Sequence, residues 1–159
     1  MSCSAVAFSA LLWLASGSAV PALSTLPAAS SPASVAAEPL FADIVKRAAG
    51  LKGQAEAYRK ALGTDPAAPA LALKDFDGFA ARIGDLSALD MKGHVTLRDR
   101  GAVDDLKCIL RGIAVDLPDK LAAMGAARTV KDQDLALRDM VYLLNDNVEV
   151  ITAPPTPAA

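Results

Sequence analysis

A single histidine, two cysteines and an aromatic content of 4% across 159 residues leave little of the usual equipment for catalysis, metal binding or base stacking. One imidazole cannot build a histidine-rich metal centre, and as a general base it needs an orienting partner and a nucleophile. Scarce aromatics and a formal net charge of −2, with no run of basic residues, exclude a conventional nucleic-acid surface. The chain also lacks Gly-x-Ser-x-Gly, His-Glu-x-x-His, a phosphate loop and a dinucleotide fingerprint. The most local deficit is charge: no Asp, Glu, Lys or Arg occurs before Glu38.

That charge-free stretch opens with a continuous apolar run over residues 5–15. It has the length of a secretory hydrophobic region and is short for a membrane span, which needs about 20 apolar residues. Small-residue pairs follow at the spacing a signal peptidase reads: Gly17 with Ala19, Val20 with Ala22, and Val35 with Ala37. A basic start is missing, since the first basic residue is Lys46. The segment 1–22 is therefore expected to be a signal peptide or, failing cleavage, an N-terminal anchor. Cys3 precedes the apolar run, which is the wrong side for lipidation. Residues 23–38, rich in Ala, Ser and Pro, read as a disordered linker, and 152–159 as a disordered Pro/Ala tail.

What is present is helix-forming sequence. Residues 39–151 are rich in Ala and Leu, with both charge signs interleaved. Four amphipathic segments follow from 3.6-residue periodicity. The first spans 39–62, with Leu40, Ile44, Ala48, Leu51, Ala55, Tyr58 and Leu62 in its stripe. The second spans 70–92, with Leu73, Phe76, Ala80, Ile83 and Ser87 on one face and Phe79 and Leu86 widening it. The third spans 102–124 and carries Pro118 inside its stripe, which predicts a kink. The fourth spans 130–151, led by Thr129 as a cap, with Leu137, Met140, Val141, Leu144, Val148 and Ile151 in phase. Short connections predict an all-α protein, an antiparallel up-down-up-down four-helix bundle.

Cys108 lies away from the stripe of the third helix. If the first segment is removed on export, it is an odd thiol in an oxidising compartment, open to a disulfide with a second copy. Lys107 and Arg111 flank it and favour the thiolate. His94 reads as a loop residue between the second and third helices. Met91, His94 and Cys108 make a weak soft-metal set, suited in chemistry to Cu(I). The plan resembles exported helical haem proteins in architecture alone. No Cys-x-x-Cys-His and no histidine on the fourth helix is there to hold the group. Paired acids at 75/77, 104/105 and 132/134 read as solvated faces. The oxygen-rich segment 145–149 sits on a predicted helix without the glycine of a calcium loop.

These features predict a non-enzymatic, exported, periplasmic or secreted bundle that acts by binding or protein interaction, with no cofactor. Its interaction residues are Cys108, Val115, Leu135 and Tyr142, joined by Leu143, apolar positions on the outer faces of the third and fourth helices. The partner is an unknown protein or a second copy, not a nucleic acid, and a membrane enters only if the first segment stays uncleaved. The alternative is a small-ligand or soft-metal binder using the bundle interior or the Met91, His94 and Cys108 zone.

Overall fold

A computed structural model describes residues 35–102 and 105–153. The chain divides into two units, Met1–Pro32 and Ala33–Ala159, and all described residues belong to the second. The expected signal segment, most of the linker and the tail beyond residue 153 lie outside the described residues. What is described is all-helical and holds no β-strand: α1 (Pro39–Lys60), α2 (Phe76–Asp99), α3 (Leu106–Ala126) and α4 (Val130–Thr152), preceded by one 3₁₀ turn, Val35–Ala37. The end of the expected linker is thus ordered. Val35 and Ala36 pack against the core, and Glu38 N donates to Val35 O at 2.9 Å.

Each helix packs on two others: α1 on α2 and α4, and α3 on α2 and α4. The pairs α1/α3 and α2/α4 face each other across the bundle. The α1–α2 seam is the loosest of the four. The core is one cluster in which Phe41, Ile44, Phe79, Ile83, Leu86, Leu110, Leu117, Leu137, Met140, Leu144 and Ile151 are fully buried. Such contiguous apolar burial is what a bundle of this size has to offset the entropy of ordering. Tyr58 meets Phe79 edge to face with centroids 5.6 Å apart, a favoured aromatic geometry.

Three boundaries differ clearly from expectation. Helix α2 starts at Phe76 rather than 70, because residues 66–71 are hydrogen-bonded to the start of α4 instead. Ala70 N donates to Arg128 O at 3.0 Å, Val130 N to Ala68 O at 2.9 Å, and Lys131 N to Pro66 O at 3.1 Å. Thr129 Oγ1 accepts from Asp132 N at 3.2 Å. The first three amides of α4, normally without intrahelical partners, are thereby satisfied. Gln133 completes the strap by pairing with both backbone groups of Leu71: Leu71 N to Oε1 at 2.9 Å and Nε2 to Leu71 O at 2.8 Å. Tyr58 Oη donates to Lys74 O at 2.5 Å.

Helix α2 also runs to Asp99, through the expected loop of residues 93–101. Gly93 is the reason the extension packs. A Cβ there would sit 3.1 Å from Leu110 Cδ1 and 3.4 Å from Ile44 Cδ1 and Phe41 Cε1, so the missing side chain lets three core residues close on the helix. Helix α3 starts at Leu106 rather than 102 and runs unbroken past Pro118. Proline cannot donate to the carbonyl four residues back, and Ser87 Oγ on α2 supplies that bond instead, reaching Ala114 O at 2.7 Å.

Asp43 and Arg47 pair one turn apart on α1 at 3.0 Å. Asp134 on α4 reaches across to Arg59 on α1 at 2.9 Å, and Lys120 on α3 to Asp139 on α4 at 3.8 Å. Arg100 grips Glu38 with both ends of its fork, at 2.9 and 2.8 Å, which ties the start of α1 to the end of α2. That guanidinium holds the Glu38 carboxyl below the usual range.

Candidate functional site

Three polar side chains are buried among the described residues: Asp90, Gln133 and Asn147. Gln133 is fully accounted for by Leu71. The other two meet across the bundle, where Asn147 Nδ2 on α4 donates to Asp90 Oδ2 on α2 at 2.6 Å. Each is 0% exposed. Their remaining side-chain oxygens, Asp90 Oδ1 and Asn147 Oδ1, accept no hydrogen bond. Burial pushes the Asp90 carboxyl up to about 7, against the lowering effect of the Asn147 hydrogen bond. A charge in apolar surroundings loses its hydration, so the neutral acid is favoured.

Sequence reasoning passed over this pair, although a signal was present. Asn147 stands in phase with Met140, Leu144 and Ile151, and Asp90 with Ile83, Leu86 and Leu97. A polar residue in phase with an apolar stripe is the mark of a buried polar contact. The expected α2 ended near Asp90, and Asn147 was absorbed into a polar segment.

At the surface, the loose α1–α2 seam opens into a groove of about 390 Å³ lined by Asp43, Lys46, Arg47, Gly50, Leu51, Gln54 and Arg82. A second depression beside it is lined by Arg47, Asp85, Ala88, Leu89 and Lys92. Several of these charges are already engaged. Arg47 bonds Asp43, and Arg82 bonds Gln54 Oε1 and Asp75.

The expected Met91, His94 and Cys108 set is rearranged. His94 is not in a loop: it lies on α2, half-buried, with Nδ1 2.5 Å from Lys107 O. A carbonyl only accepts, so Nδ1 carries the proton. Cys108 is not a free thiol. The other two members of the set are an exposed thioether on Met91 and the half-buried imidazole of His94. Among the described residues, no group of three or more His, Cys, Asp or Glu is placed to hold a metal ion.

Of the apolar surface candidates, three are exposed and Leu143 is not. Tyr142 is 68% exposed, Val115 55% and Leu135 39%. Leu135 and Tyr142 lie seven residues apart on the outer side of α4, and Val115 on the outer side of neighbouring α3. Leu143, one position on from Tyr142, is buried and belongs to the core. The acids Asp75, Asp77, Asp105 and Asp132 are exposed. No described helix is long and apolar enough to cross a membrane.

The described residues define a small four-helix protein with apolar positions on its outer surface. No protein-family model, curated protein or solved structure matches the chain.

Proposed function

We propose that this chain is an exported helical bundle that acts by protein interaction rather than catalysis, through the outer apolar face of α3 and α4. The observation that carries the reading is the exposure of Tyr142, at 68%, two turns from the exposed Leu135. A solvent-facing tyrosine is a residue type that anchors protein interfaces, and Leu135 extends the apolar surface on the same helix side. The helices alternate up-down-up-down, which the short connections on either side of α3 favour. Export rests on the charge-free opening residues, with their apolar run and small-residue pairs. The absence of catalysis is supported by the chemistry of the lone histidine, whose Nδ1 is engaged by the Lys107 carbonyl rather than by an orienting carboxylate.

The test is a double variant, Leu135→Glu with Tyr142→Glu. Both sites are exposed, so thermal unfolding should stay where it is in the parent chain. Cross-linking in host extract and sedimentation at rising concentration should both lose any complex the parent forms. A parent chain that is a strict monomer and cross-links to no protein overturns the interaction reading. N-terminal sequencing of the protein recovered from its host tests export separately, with a start after the first segment as the expected result.

A further inference from the structure

The two oxygens without partners, Asp90 Oδ1 and Asn147 Oδ1, belong to one pair. That pair is already joined through its other atoms, Asn147 Nδ2 to Asp90 Oδ2. An ionised carboxylate and an amide oxygen are both pure acceptors, so neither can satisfy the other. One proton on Asp90 Oδ1 changes both at once. The acid O–H then donates to Asn147 Oδ1 while Asn147 Nδ2 donates to Asp90 Oδ2. The result is a cyclic acid–amide pair with no oxygen left over.

We propose that Asp90 and Asn147 form a proton-binding site in the core, a latch that closes between α2 and α4 when Asp90 is protonated and opens when it is not. The latch joins the two helices that otherwise face each other across the bundle. Among the described residues no second buried charge competes with it. Asp90 is the only charged side chain buried among the described residues. The charges on the packed elements sit at exposed or half-exposed positions: Asp43, Lys46, Arg47 and Lys52 on α1; Lys107, Arg111 and Asp116 on α3; Asp146 and Glu149 on α4. Lys52 bonds Asn145 at 2.8 Å, and Lys107 bonds the Ala102 carbonyl. Asp146 is itself held above the usual range by partial burial and by Glu149. What acts on Asp90 is burial and Asn147, which together place its titration at about 7 against 3.8 for an ordinary aspartate.

The folded chain therefore binds this proton more tightly than the unfolded chain does. The stabilisation is complete below the range of an unfolded carboxyl, and it is lost as pH rises through about 7. Within that window each pH unit lowers the folded-to-unfolded ratio by about tenfold, the effect of one proton.

Two measurements on the full chain test the latch. The first is a carboxyl-carbon NMR titration of the native chain, in which Asp90 should titrate near neutrality. The second is urea unfolding between pH 5 and pH 8, compared with Asp90→Asn, a neutral variant that cannot titrate. The parent should lose stability across the range, and the variant should lack that loss. An Asp90 carboxyl that titrates near pH 4 overturns the proposal, as does an identical pH slope in parent and variant. The NMR titration decides the matter even if Asp90→Asn fails to fold.

Discussion

Helix α4 buries two amides fourteen residues apart, and they are treated differently. Gln133 has its oxygen and nitrogen both engaged by the backbone of Leu71. Asn147 has its nitrogen engaged and its oxygen idle, opposite an acid in the same condition. A buried polar group with every bond made acts as structure: it fixes register and holds a segment in place. One with bonds left open holds an unstable arrangement unless something completes it. Near the end of α4 a proton does so, and near its start the strap already has.

The comparison can be pressed from the strong end. At pH 8, Asn147→Leu strips a buried, ionised Asp90 of its only hydrogen-bond donor. Urea unfolding should show a loss of about 3 kcal/mol. At pH 5 the acid is neutral and the loss should be smaller. Equal losses at both pH values would mean that the charge on Asp90 is not what Asn147 answers. Gln133→Leu should cost about 2 kcal/mol, since two backbone groups of Leu71 lose their partner but water can reach that half-exposed residue. Its signature is local, with faster amide hydrogen exchange at Leu71, Ala70 and Val130 and no change in pH dependence.

Smaller effects probe the packing that holds the pair in place. Gly93→Ala gains helix propensity but presses a methyl onto Leu110 at 3.1 Å. The net loss expected in thermal unfolding is about 1 kcal/mol. Ser87→Ala leaves the Ala114 carbonyl without the bond that Pro118 denies it. A loss of about 0.5–1 kcal/mol is expected, with the largest exchange change near Pro118.

Much of the fold could be read from the chain because α1, α3 and α4 announce themselves by apolar phase. The Thr129 cap of α4 was equally legible, since capping is a local matter of a hydroxyl and the amide three residues on. Helix α2 was harder for two physical reasons. Its second half is carried by Asp90 and Gly93, an acid and a glycine where a stripe should show leucines, so the phase seems to end. Its expected first turn is diverted by bonds to residues 128–133, and no local pattern reveals a partner about sixty positions away. The buried pair was missed with α2, because its two halves become visible as a pair only when both stripes are followed to their ends. The exposed positions Val115, Leu135 and Tyr142 were legible because they fall on the side opposite the stripe.

The strap between α1 and α2 has a kinetic consequence. Bundles with short connections gain most of their contacts from residues near one another in sequence, which favours rapid folding. Here the segment 66–71 finds its backbone partners only once the start of α4 is formed and in position. The last helix must arrive before the first connection can settle. A chain emerging from its N-terminal end would hold that connection loose until nearly its whole length had been delivered.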